Sequence, residues 1–282
     1  MKNGLYLYCF ILLLSNFLSV TAYGQESLKD SLYENLNKAK NEGKIEEFIA
    51  LTHSFAIVNP TEAIAICTEL LEDKNVQLSK KNEFEIIKCL AKSNFELQEF
   101  KKSEELYLRA SQIAGALGLE DELLQCRIGF SATLIETGRL TEAEDNLNNL
   151  LNLLRKYNFS VLKAEANFYL GNCYQKKDNF IAALNSYEIA LQLSISQNEN
   201  DLAANIKMQM GNLQQRTGKY KDAIEHYLEA EKFAGKTKNP RLAARIGLNM
   251  ATLNIETKDY NTGIIHAIRA LQLYKQLEME NG

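Results

Sequence analysis

Three stretches of this chain gather side chains that hydrogen-bond readily and react poorly. Asn172, Gln175 and Lys176 make the first, Asn205, Gln209, Asn212 and Arg216 the second, and Arg245, Asn249 and Thr252 the third. Each carboxamide carries both donors and an acceptor, so a row of them can pair with the main chain of an extended peptide whatever its side chains. The plainer reading is that they only keep a surface wettable. Reactive chemistry has less to work with. None of the 3 histidines lies in a nucleophile elbow, a zinc-protease helix or a His/Cys/carboxylate cluster. His226 and His266 stand forty apart, and a metal between them would need ligands the neighbouring sequence does not offer, so two exposed imidazoles are expected. The sequence therefore points to a binder without catalysis, cofactor or metal.

The interval of forty recurs along the whole chain. Leu170-Gly171-Asn172-Cys173-Tyr174 is followed, after a polar break, by Phe180, Ala183, Tyr187 and Ala190, and forty residues on stand Gly211, Tyr220, Ala223, Tyr227 and Ala230. A small residue recurs as Ala63, Ser103, Ala143, Ala183, Ala223 and Gly263. The next rows read Cys67, Tyr107, Leu147, Tyr187, Tyr227, Ala267 and Leu70, Ala110, Leu150, Ala190, Ala230, Ala270. L-G-x2-Y followed by A-x3-aromatic resembles the two-helix pattern of the tetratricopeptide repeat. The chain departs from that family in having no Trp, in placing Ile195 where the closing Pro falls, and in its longer period, the usual one being about 34.

The resemblance implies an all-α, right-handed superhelical solenoid of six stacked helix-turn-helix units, starting near Lys44, Phe84, Leu124, Ala164, Ala204 and Ala244. First helices should line the concave surface with second helices outside, and the family's register aims several of the polar residues named above into that groove. Long-repeat relatives that bind signalling peptides use asparagines in this way. Changing Asn172, Asn212 and Asn249 to Ala is expected to weaken capture and leave stability nearly untouched. The dicarboxylate clamp of chaperone-binding members is unmatched, because Phe168, Met208 and Leu248 occupy the position of its first Lys.

Residues 1–24 read as a secretory signal peptide: Lys2, an apolar run from Leu5 to Val20, and small residues at Ala22 and Gly24 ahead of cleavage before Gln25. An uncleaved anchor is the alternative. Export to the periplasm, free or membrane-associated, follows from either. Loss of Lys2 takes the formal charge from −4 to −5, an acidity that argues against nucleic acid. Residues 25–43, with Leu28, Leu32, Tyr33, Leu36 and Ala39, suggest a capping helix ahead of a solenoid spanning 44–282. Asn59-Pro60 and Asn239-Pro240 read as helix starts, and Gly138 and Gly218 as left-handed helix ends. Of the cysteines, Cys67 reads as a small buried hydrophobe, and Cys89 with Cys126 on neighbouring first helices is the pair to test for a disulfide, which an oxidising compartment permits.

The last second helix carries Ile264, Ile265, Ile268, Leu271, Tyr274 and Leu277 over an arc of roughly 220°, against the roughly 100° that one-sided packing uses. This surplus implies a seventh unit, self-association or a docked partner. A different class of function is that the chain is the sensory segment of a larger signalling protein, such as a membrane histidine kinase or a helix-turn-helix regulator, with its output domain beyond Gly282.

Overall fold

The computed structural model describes residues 34–279 apart from 36, 41, 157, 158 and 238, and the side chains of these except 58 and 276–279. The stretch read as a signal peptide, and most of the segment read as a capping helix, lie outside the described residues. Every regular element among the described residues is helical. From Ile45 onward they are α1 (Ile45–Val58), α2 (Pro60–Glu72), α3 (Lys80–Glu96), α4 (Phe100–Leu117), α5 (Glu120–Glu136) and α6 (Leu140–Leu154). They continue as α7 (Ser160–Lys176), α8 (Phe180–Ser196), α9 (Asn200–Arg216), α10 (Tyr220–Ala234), α11 (Pro240–Glu256) and α12 (Tyr260–Met279). Consecutive helices pack as antiparallel pairs, and each pair stacks on the next. First helices from α3 onward open four residues ahead of the unit starts read from the period.

Local chemistry sets the boundaries. Asn59 and Asn239 each accept from a backbone amide three residues on, Glu62 and Leu242, while Pro60 and Pro240 fill the first helical position, where no amide partner is needed. First helices end in one repeated turn, with Gln98, Gly138, Asp178, Gly218 and Lys258 all at positive φ, forty residues apart. After each, the next amide reaches back to the same carbonyl position, as Glu99 to Asn94 and Lys219 to Gln214, both at 2.9 Å. This is the six-to-one closure of a Schellman motif. Glycine fills only two of the five sites, so the forty-residue geometry imposes the left-handed residue even where a side chain opposes it.

Packing follows the small-residue row. Ala63, Ser103, Ala143, Ala183 and Ala223 are all fully buried where second helices cross first helices, and Ser103 Oγ satisfies itself by donating to the Ala91 carbonyl at 2.8 Å. Ala39, ahead of α1, is buried with Phe48 and Phe55. The stack curves enough that α11 brings Cα atoms within 8 Å of α1. First and last inner helices thus meet, and the concave face becomes the lining of a channel. On the outside, Ile264, Ile265, Ile268 and Leu271 of α12 are about half exposed, whereas Tyr274 is half-buried.

Candidate functional site

The channel floor is built by two tyrosines that reach it from behind. Tyr187 belongs to the outer helix α8, and its ring crosses the backbone of α7 at Gly171, where an added Cβ would lie 2.5 Å from two ring carbons. Only glycine leaves this path open. The hydroxyl emerges 2.7 Å from Asn172 Oδ1 and 2.7 Å from Gln175 Oε1. A phenol has one proton, so it donates to one carboxamide and accepts from the amide group of the other, which fixes both side chains. One unit on, Gly211 gives Tyr227 the same passage, and its hydroxyl meets Asn212 at 2.7 Å and Gln215 at 2.8 Å.

The second station is tied to its neighbours. Asn249 Nδ2 donates to Asn212 Oδ1 at 2.9 Å, and Asn212 Nδ2 donates to Gln209 Oε1 at 2.9 Å. Gln215 Nε2 donates to Glu256 at 2.9 Å. A ladder of carboxamides thus runs from α9 to α11, joined by a smaller station on α7. Asn172, Asn212 and Asn249 are half-buried members of this frame. The expectation that these groups face open water is corrected, because each is half-buried and its removal takes a hydrogen bond from a partner that faces little water.

The remaining residues of the three stretches divide. Lys176 bridges to Glu136 at 2.8 Å, and Arg216 holds Asp178 at 2.7 Å while covering the Phe180 ring, so both cations tie one unit to the previous one. Asn205 turns back onto the Asp201 carbonyl at 3.0 Å. Arg245 and Thr252 are exposed, the latter donating to the Leu248 carbonyl. Phe168 and Met208 are buried in the core, whereas Leu248 is exposed. Sequence reasoning missed Gln215, although it stands forty after Gln175, and missed the role of both tyrosines.

Charge inside the channel comes from distant units. Burial pushes the half-buried Glu165 carboxyl of α7 up to about 7, with Lys92 of α3 opposing the rise and Glu199 adding to it. The Tyr169 hydroxyl is raised by burial and then by Glu165, while Arg245 of α11 acts to lower it. Fields from α3, α7 and α11 therefore overlap in one space. Elsewhere the exposed-imidazole expectation is corrected. His226 and His266 are half-buried, His226 Nδ1 has no partner, and burial followed by Lys207 lowers its pKa, leaving a neutral ring. Among the described residues no group of three or more His, Cys, Asp or Glu is placed to hold a metal.

The tetratricopeptide repeat family model matches residues 162–236, the stretch holding both Gly–Tyr passages. No curated protein matches the sequence. Among solved structures, the chain is similar to a Rap protein complexed with competence and sporulation factor, at 15% identity and a TM-score of 0.66, over 87% of this chain and 80% of that one. It is similar to NprR in complex with its cognate peptide NprX, at 15% identity and 0.64, over 93% and 78%. Aspartyl phosphate phosphatase F from Bacillus subtilis aligns at 11% identity and 0.56, over 85% and 74%. At such identities the likeness is one of fold.

Proposed function

We propose that this chain, a solenoid of tetratricopeptide-repeat type, is an exported module that grips an extended peptide or protein segment in its channel and performs no chemistry on it. The observation that carries the reading is the carboxamide ladder, held in place by phenols entering from the outer helices. Ordered donors and acceptors lose little freedom when a ligand's main chain pairs with them. Two of the similar folds were solved with peptides bound, which supports the same use of the concave face here. Another similar fold is a phosphatase, so absence of catalysis rests on the makeup of the channel and not on the fold. Export rests on the apolar run near the start of the sequence. No described helix is long and apolar enough to cross a membrane.

An array of short randomised peptides tests this directly. Wild-type protein should retain a subset, and the double substitution Gln209→Ala with Arg245→Ala should lose most of it while keeping the wild-type helix content by circular dichroism, with a lower melting temperature because Gln209 accepts from Asn212. Identical retention by both proteins would overturn the reading. Self-association through the apolar face of α12 is a separate part of the proposal, resting on its four half-exposed aliphatic side chains. Ile268→Glu should then convert a concentration-dependent dimer to monomer in sedimentation, and a wild-type protein monomeric at high concentration removes this part alone.

A further inference from the structure

The register that sends Tyr107 over Gly129 places two thiols together one unit earlier. An added Cβ on Gly129 would lie 2.3 Å from the Tyr107 ring, so second and first helices approach closely at this crossing. Forty residues back the same two positions are Cys67 on α2 and Cys89 on α3. Both are buried free thiols packed in one cluster with Ala63 and Ile86, and each shifts the pKa of the other. Cys126, the partner to be tested for Cys89, packs in a different cluster with Phe84 and Ile87, and Cys173 donates to the Leu140 carbonyl at 3.2 Å.

A third element completes the arrangement. His53 of α1 stands close enough to affect the ionisation of Cys89, and its Nε2 lies 3.4 Å from Glu85 Oε2, which Lys88 also contacts at 2.9 Å. Burial alone would lower the His53 pKa, yet the neighbouring Cys89 and Glu85 carry it to about 9. The neighbouring Cys67 and the imidazolium together lower the Cys89 pKa against the effect of burial, while the Cys67 pKa is raised, so of the pair Cys67 keeps its proton.

We propose that Cys67 and Cys89 form a dithiol site that closes to an intramolecular disulfide by exchange with a low-molecular-weight disulfide. The Cys89 thiolate attacks one sulfur of the small disulfide, forming a mixed disulfide and expelling one thiolate. Cys67 gives its proton to that thiolate and attacks the Cys89 sulfur, and the second small thiolate leaves to be protonated by His53 or water. Two electrons pass from the protein to the small disulfide, which ends as two thiols. Because both sulfurs are buried, exchange proceeds through local opening of α1 and α2. The product ties α2 to α3, and so the first unit to the second. It also removes the anionic acceptor from His53, whose pKa falls on oxidation.

The test uses the full chain incubated with oxidised glutathione at mildly alkaline pH, then denatured, alkylated and mapped by mass spectrometry. A linked pair of peptides containing Cys67 and Cys89, with Cys126 and Cys173 alkylated, is the expected result. Cys67→Ser should leave glutathione attached at Cys89, and Cys89→Ser should leave Cys67 largely unmodified. Full alkylation of both cysteines in treated wild-type protein, or a link from either one to Cys126, would overturn the proposal. The wild-type measurement does not depend on either variant folding.

Discussion

Tyr107 and Tyr227 occupy the same repeat position and point into different surroundings. Tyr227 crosses Gly211 in the first helix of its own unit and delivers a hydroxyl to the channel, where Asn212 and Gln215 take it up. Tyr107 crosses Gly129 in the first helix of the following unit, and the positions that supply carboxamides in later units hold Lys92 and Phe95 in its own. The first half of the channel is therefore lined by charge and hydrocarbon, the second half by carboxamides. A repeated aromatic does not fix its own direction. The gap left by a glycine does.

The largest expected effect tests that statement. Gly211→Ala drives a Cβ into the Tyr227 ring, and overpacking together with the lost hydroxyl bonds should cost about 3 kcal/mol in urea unfolding. Gly247→Ala is the control, because its Cβ would meet Ala270 at an ordinary 3.5 Å, and helix propensity should stabilise by about 0.5 kcal/mol. Equal losses at both sites would mean that glycine is needed for reasons other than ring passage.

Glu165 separates the halves electrostatically. Its folded pKa of about 7 lies above the ordinary 4.5, so the charged form is the one the fold disfavours. Stability should be greatest below about pH 4.5 as far as this group is concerned, fall as pH rises toward 7, and level off above. Glu165→Gln removes that slope and should raise stability at pH 8 by about 2 kcal/mol, allowing for partial exposure. Parallel unfolding curves for both proteins at pH 5 and pH 8 would show that the carboxylate is solvated in the channel.

Hydroxyl removal sharpens the comparison next. Tyr227→Phe takes one hydrogen bond each from Asn212 and Gln215 and should cost about 1.5 kcal/mol, whereas Tyr107→Phe should stay within about 0.5 kcal/mol of wild type. Thermal melts that rank them the other way would place the frame in the wrong half. The smallest effect concerns what the halves share. Gln98→Gly and Lys258→Gly relieve a side chain held at positive φ and should each stabilise by about 0.5 kcal/mol, while Gly218→Ala should lose about 1 kcal/mol.

Most of the fold was legible because its causes are local and periodic. The alanine row, the Asn-Pro starts and Gly138 and Gly218 at turns are each satisfied by the chain within a few residues, or by a neighbour forty away. The site was legible only in outline. Asn172, Gln175, Gln209, Asn212 and Asn249 were found as residue types, but their bonds to phenols on the outer helices depend on which backbone a ring crosses. The cysteines teach the same lesson. Burial of Cys67 was legible, but only the packing of α2 on α3 put it in one cluster with Cys89, while Cys126 packs elsewhere.

By itself, then, the amino-acid sequence determined the repeat, the helical class, the turn positions and the polar character of the second half of the channel, since each follows from short-range sterics and hydrogen bonding. The tertiary structure alone decided that α11 meets α1, that charges on α3 and α11 reach groups on α7, and that three asparagines brace the frame they also line. Those outcomes depend on a small rotation per unit summed over the stack. No residue encodes that sum locally, so it becomes visible only when every helix is in place.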